Sequence, residues 1–347
     1  MSAAVTVALD AMGGDAAPEM VVAGADMARE RHPGVRFLLC GDETQIAPLL
    51  GQRPALAAVC EIRHTATAVS SHDKPSQAFR RGRGTSMWLA IETVQKGEAA
   101  AVVSAGSTGA LMAMAMHLLR TIPGVDRPAI ASFIPTATGE SVMLDLGANI
   151  DCSERNLAEF AVMGAAFART CLGLERPRVA LLNIGSEEIK GNEAIKGAAA
   201  RLRQMSLAFE FTGYVEGNGL GAGAADVIVA DGFAGNVALK TAEGTARQIS
   251  GYMAGAFRRS LLSRLGYLLA RSALRALRDR LDPQRYNGGV FLGIGGLVVK
   301  SHGGADARGF AAAIDLAVDM AAGDLCDRIA SDMRELIPGP DLQAAAP

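Results

Sequence analysis

Apolar runs of strand length recur along the chain at residues 5–9, 35–40, 100–103, 130–134, 142–146, 179–184 and 227–230. Between most of them apolar positions return at helical spacing, over 18–31, 75–96, 108–120, 153–170, 192–205, 235–257 and 310–337. Short unbroken apolar runs fit strands covered on both faces. Their alternation with helices implies an α/β protein with a largely parallel sheet and helices on both of its sides. The pattern predicts one α/β domain over 1–337, built as a single body or as two lobes. Residues 338–347, with Pro-Gly-Pro and Ala-Ala-Ala-Pro, are expected to fray. One segment, 258–285, breaks the rhythm and is rich in arginine and leucine.

The run at 179–184 ends at Gly185 in a polar turn that carries Ser186, Glu187, Lys190 and Asn192 into the next helical pattern. Ligands bind at such carboxyl ends of strands in α/β sheets, because loop N–H groups and the positive end of the following helix converge there. A lysine in that loop points to an anion. Five further loops mix Gly with small polar or charged residues after an apolar run: Asp10-Ala-Met-Gly-Gly-Asp15, Ser104-Ala-Gly-Ser-Thr-Gly109, Asp145-Leu-Gly-Ala-Asn149, Asp231-Gly-Phe-Ala-Gly-Asn236 and Lys300-Ser-His-Gly-Gly-Ala-Asp306. Several on one sheet edge would form a nest of N–H donors, although each alone equally suits a tight turn.

Composition narrows the chemistry. A chain of 347 residues, 50% of them hydrophobic, can bury a large core, and a formal charge of −2 gives no global attraction to nucleic acid. Five cysteines without a C-x-x-C pair fit reduced thiols in a cytosol and argue against zinc. The first ten residues lack a basic region and reach Asp10 before a signal-length apolar stretch, so a first strand is expected there. The longest uncharged run, 99–119, is of spanning length, but the small polar loop at its centre suits strand, loop and helix better than a membrane span.

No G-x-x-x-x-G-K-[ST] motif occurs, and the nearest G-x-G-x-x-A match, 217–222, leads toward an apolar run instead of opening a helix. The five histidines form no H-x-x-x-H pair, and no G-x-S-x-G elbow exists. Nucleotide cofactors, metals and a serine nucleophile all lose support, and no cofactor is expected. His302 alone among the histidines lies in a Gly-rich loop, where a surface turn role is the plainer reading.

The loops together carry a resemblance. Ala8-Leu-Asp-Ala-Met-Gly-Gly-Asp15, Ser104-Ala-Gly-Ser-Thr-Gly-Ala110, Arg127-Pro128, Leu144-Asp-Leu-Gly-Ala-Asn149, Asn183-Ile-Gly-Ser-Glu-Glu188 with Lys190-Gly-Asn-Glu193, Phe211-Thr-Gly-Tyr-Val-Glu-Gly217, the stretch 226–236 and Tyr286-Asn-Gly-Gly resemble, in order, the PlsX family of acyl-acyl-carrier-protein:phosphate acyltransferases. Ser107 stands where that family's loop is expected to have Asn. The resemblance implies a fold like isocitrate and isopropylmalate dehydrogenases and phosphotransacetylases. It also implies a homodimer, a cytoplasmic location and peripheral contact with the inner face of the membrane. In the implied reaction, inorganic phosphate attacks the thioester of a long-chain acyl-carrier protein, giving acyl phosphate for phospholipid synthesis.

Such chemistry needs positioning and oxyanion stabilisation more than a protein nucleophile. Lys190 is then the expected cation at phosphate or oxyanion, with Asn192 and Asn236 as amide donors. Ser104, Ser107, Thr108 and Ser186 would line phosphate with the backbone of Gly13 and Gly14. Asp15, Asp145, Asn149 and Asp231 are expected to orient other groups or to cap turns, and His302 joins the substrate loops. Segment 258–285 holds eight arginines and two acids. On helical spacing Leu261, Leu265 and Leu268 share one face, while Arg264, Arg271, Arg275 and Arg278 form a basic stripe. Dimer packing, contact with acidic carrier protein and contact with anionic lipid all fit this pattern. Three other readings stay open: a phosphotransacylase acting on acyl-coenzyme A, a dehydrogenase on the related fold, and a non-catalytic membrane scaffold for lipid enzymes.

Overall fold

The computed structural model describes residues 5–70, 73, 75–205, 207–281 and 287–336. The expected fraying of 338–347 and the far end of the arginine-rich segment, from 282 onward, lie outside the described residues. Eleven strands form one sheet: β1 Thr6–Asp10, β2 Arg36–Gly41, β3 Cys60–His64, β4 Ala101–Ser104, β5 Ala129–Thr136, β6 Gly139–Leu144, β7 Arg178–Leu182, β8 Glu210–Val215, β9 Val227–Val229, β10 Gly289–Leu292 and β11 Leu297–Lys300. The helices are α1 Glu19–Arg31, α2 Glu43–Gly51, α3 Pro54–Ala57, α4 Pro75–Arg81, α5 Ser86–Gln95, α6 Thr108–Leu119, α7 Glu154–Leu172, α8 Glu193–Arg203, α9 Gly232–Arg258, α10 Leu261–Leu281, α11 Ala307–Ala321 and α12 Leu325–Leu336.

The strand order is β3-β2-β1-β4-β11-β10-β5-β6-β9-β7-β8. Pairing is parallel from β3 to β11 and again from β6 to β8, while β10 is antiparallel to both β11 and β5, and β5 to β6. Three antiparallel pairings at the centre therefore join two parallel halves that run in opposite directions. Alternate residues of each strand feed two cores. Val7, Leu9, Val103 and Leu144 pack with α1, α7 and α11, whereas Ala8, Val102 and Met143 pack with α5 and α6 on the other face. Phe160, Phe167 and Phe310 are fully buried in the first core, each contributing about 1.5–3 kcal/mol.

Two expected helices are each divided. Residues 75–96 fold as α4 and α5, because Gly84 holds φ at +82° and Thr85 starts a new helix by accepting from the Trp88 N–H. Of the helix expected over 310–337, the described residues fold as α11 and α12, which end at Ala321 and Leu336. The 217–222 stretch, which matched a dinucleotide fingerprint poorly, is a short 3₁₀ turn. The helix expected from 235 begins at Gly232 and runs 27 residues to Arg258, where α10 folds back against it. Phe257 and Tyr267 meet across that hairpin, with ring centroids 5.5 Å apart and ring planes tilted by 60°. Among the described residues no helix is long and apolar enough to cross a membrane.

Candidate functional site

A cavity of about 600 Å³ lies over the central antiparallel strands. Thr108, at the start of α6, and Lys300 to Ala305, following β11, form one wall. Leu146 and Gly147, from the loop after β6, and Asn236, Leu239, Lys240, Glu243 and Arg247, from α9, form the other. The α9 residues Asn236, Lys240, Glu243 and Arg247 recur at intervals of four, three and four, which sets them on one helical face. Three cations, Lys240, Arg247 and Lys300, and one carboxylate thus line the cavity. Lys240 Nζ pairs with Glu243 Oε2 at 2.9 Å, and Arg247 lies 3.7 Å from the same oxygen.

The first wall is braced from below. Ser104 is buried; its hydroxyl donates to Asp10 Oδ2 at 2.7 Å and accepts from the Gly106 N–H at 3.0 Å. It therefore shapes the loop that opens α6 and has no exposed oxygen for a ligand. Burial pushes the Asp10 carboxyl above the usual range, and its Oδ1 has no hydrogen-bond partner. Gly13 lies against Asp10 and the Gly106 amide, and the Asp15 N–H donates to the Gly303 carbonyl at 2.9 Å, tying the loop that contains Gly13 and Gly14 to the one after β11. Ser107 is the N-cap position of α6 without a side-chain cap bond. Thr108 meets the cavity at the positive end of that helix.

Lys300, at the end of β11, donates to the carbonyl of Ala105 at 3.4 Å and to that of Ser301. Burial pushes its ammonium down to about 8, against the opposing pull of Asp10 and Asp15. The His302 N–H donates to Asn287 Oδ1, and its Nδ1 accepts from the Gly304 N–H at 3.2 Å, which leaves Nε2 to carry the proton of the neutral ring. Burial, with Lys240 and Lys300 nearby, lowers the His302 pKa.

The second wall depends on Asp145. This buried carboxylate accepts from the N–H groups of Ile130, Ala148 and Asn149 and from Asn149 Nδ2, at 2.7–3.1 Å. Burial raises its pKa above the usual carboxylate range, and these donors offset only part of that. Asn149 Nδ2 also reaches the Pro128 carbonyl at 2.8 Å. Asp145 and Asn149 thus knot the loop after β6 to β5. Gly147, at φ +120°, lies where a Cβ would come 3.0 Å from Asn236 Nδ2. The Asn236 amide instead donates to the Leu146 carbonyl at 3.0 Å and lines the cavity. Asp231 caps α9 by accepting from the Ala234 N–H at 2.7 Å.

The loop after β7 stands apart. Ser186, Lys190 and Asn192 are exposed and none lines the cavity; Asn192 caps α8 through the Ile195 N–H. Leu261, Leu265, Arg271 and Arg275 are exposed on α10, far along the hairpin, and Arg278 belongs to the same helix. Of the residues expected at the site, Thr108, Asn236 and His302 meet at the cavity, with Asp145 and Asn149 behind one wall and Ser104 and Gly13 behind the other. Lys240, Glu243 and Arg247 lie outside the Gly-rich loops and were not expected at the site, and Asp10 and Lys300 are ends of such loops. The helical spacing from Asn236 was the signal for the first three. Among the described residues no cluster of three His, Cys, Asp or Glu side chains suits a metal.

Comparisons with known proteins agree with this architecture. A family model described as fatty acid synthesis protein matches residues 5–328. A phosphate acyltransferase of Paramagnetospirillum magneticum is 56% identical over 338 residues, covering 97% of this chain and 96% of its own. One from Rhodospirillum rubrum is 60% identical over 320 residues, covering 92% of each chain. Among solved structures, a phosphotransacetylase from Streptococcus pyogenes aligns with TM-score 0.61 at 18% identity, over 93% of this chain and 95% of that one. A 4-hydroxythreonine-4-phosphate dehydrogenase from Klebsiella pneumoniae aligns with TM-score 0.53 at 17% identity, over 93% and 99%. These structural likenesses extend the fold class to phosphotransacetylase-like and dehydrogenase-like proteins.

Proposed function

Because the chain belongs to the PlsX family of phosphate acyltransferases, we propose that it moves a long-chain acyl group from acyl-carrier protein to inorganic phosphate. The observation that carries this reading is the cavity itself, in which Lys240, Arg247 and Lys300 converge with the start of α6. A phosphate oxygen attacks the thioester carbon, the C–O bond forms, and the C–S bond breaks to give acyl phosphate and carrier thiol. Phosphate is anionic at neutral pH and needs no activating base. The protein's task is to hold two reactants in line and to neutralise charge at the oxyanion.

In this reading Lys240 and Arg247 hold phosphate, aided by the N–H groups at the start of α6 and by Thr108. The second N–H of the Asn236 amide faces the carbonyl oxygen. Asp145, Asn149 and Asp231 position Asn236 and Lys240 by fixing α9 to the loop after β6. A rate comparison with one acyl chain on carrier protein and on coenzyme A tests the donor: faster turnover on coenzyme A would replace this reading with that of an acyl-coenzyme A phosphotransacylase.

The hairpin supplies the proposed meeting place with membrane and carrier. Leu261, Leu262 and Leu269 are each at least 80% exposed at its tip, beside a basic face that bears Arg264, Arg271 and Arg275. Apolar residues next to cations suit the boundary of an anionic bilayer. Changing Arg271, Arg275 and Arg278 together to Gln is expected to weaken sedimentation with anionic liposomes by about tenfold or more, at roughly 1 kcal/mol per charge. The same change is expected to raise KM for acyl-carrier protein. A dimeric triple variant with both quantities unchanged would make the hairpin purely structural.

A further inference from the structure

Lys300 differs from the other cavity cations in how it is held. Lys240 and Arg247 project from α9 and pair with Glu243 near solvent. Lys300 is fixed at the end of β11, with its Nζ against the carbonyls of Ala105 and Ser301. An ammonium has three N–H groups, and two of these are committed. The remaining one is too few to clasp a phosphate that offers several oxygens, yet sufficient to deliver one proton. The acyl-transfer reading leaves such a task unassigned, because the departing sulfur becomes an anion in a partly enclosed cleft.

We propose that Lys300 is the acid of the reaction, giving its free Nζ proton to the sulfur as the C–S bond breaks. This role rests on the acyl-transfer reading above. The phosphate oxygen forms its bond to the acyl carbon, the electron pair of the C–S bond goes to sulfur, and sulfur takes the proton. Neutral Lys300 then regains a proton from water. Burial supports the assignment: a lysine near 8 is a stronger acid than an ordinary lysine near about 10.4 and lies below even the roughly 8.5 of a cysteine thiol, so proton transfer to a departing alkyl thiolate is favourable. Asp10 and Asp15 favour the charged form, Lys240 opposes it, and Glu243, Arg247 and His302 complete the charged or titratable groups around the cavity.

The test compares thioesters that differ only in the leaving thiol: one fatty acyl chain on N-acetylcysteamine, an alkyl thiol, and on thiophenol, whose anion leaves unprotonated. Lys300→Gln and Lys300→Arg are expected to lower kcat about 10²-fold with the alkyl ester and only a few-fold with the aryl ester. Arginine restores charge without an acid of suitable strength and so is not expected to rescue. In the wild type the alkyl-to-aryl rate ratio should be high below the Lys300 pKa and fall as pH rises through about 8. The ratio cancels the ionisation of phosphate and needs no variant to fold. Equal losses with both esters, or a ratio flat with pH, would overturn the proton-donor role. If the wild type makes acyl phosphate neither from these esters nor from the same chain on acyl-carrier protein, the transfer reading itself fails, and the role falls with it.

Discussion

Lys240→Ala is expected to lower kcat/KM for phosphate about 10²-fold, the size of loss seen when a preorganised charge is removed from a developing anion in a confined site. Lys240 lies on the cavity wall, four residues from Asn236 on the same face of α9. Lys190→Ala, by contrast, is expected to change the same constant by less than about threefold, because an exposed loop charge is screened by water and salt. The Lys190 side chain is exposed and outside the cavity lining. Steady-state kinetics on both variants with varied phosphate reads the contrast. A large loss at Lys190 with none at Lys240 would move the phosphate site to the loop after β7.

Gly235→Ala is expected to be the most damaging small substitution in the chain. A Cβ there would lie 1.9 Å from the Asp145 carbonyl oxygen, a backbone atom fixed within the knot around the Asp145 side chain. Relief requires α9 to move off the loop after β6. The expected cost is about 3 kcal/mol, at the upper end for overpacking a tight site, together with loss of activity as Asn236 and Lys240 are displaced. Gly244→Ala is the matching control on the same helix. It meets nothing within 4 Å, so the higher helix propensity of Ala should stabilise by up to about 1 kcal/mol. Urea unfolding of the two variants measures the difference, and equal midpoints would show that the contact between α9 and the Asp145 loop tolerates movement.

The alternation of strands and helices was legible wherever a strand is buried on both faces. β1, β4, β6, β7 and β9 all lie within or beside the apolar runs that announced them. The edge strands β3 and β8 were not, because Glu61, Arg63 and Glu210 interrupt their apolar sequence as the exposed side of an edge allows. β10 and β11 are four residues each, divided by Gly293 and a further Gly pair, too short to stand among the strand-length runs. Missing them hid the antiparallel centre of the sheet, and with it the place where the cavity forms. Glycine composition identified the loops around the site but not their roles. Ser104, Asp145 and Asp231 carry the small polar side chains expected of a ligand loop, yet spend their hydrogen bonds on backbone and on the side chains of Asp10 and Asn149. The cavity cations stand a turn or more along a helix and at a strand end, positions that only the folded arrangement brings together.

The central claim is acyl transfer to phosphate. Purified protein mixed with palmitoyl-acyl-carrier protein, inorganic phosphate and a metal chelator should release free carrier only when phosphate is present, with an equal amount of acyl phosphate trapped as the hydroxamate. Release of free palmitate without acyl phosphate, or turnover that the chelator abolishes and magnesium restores, would contradict it.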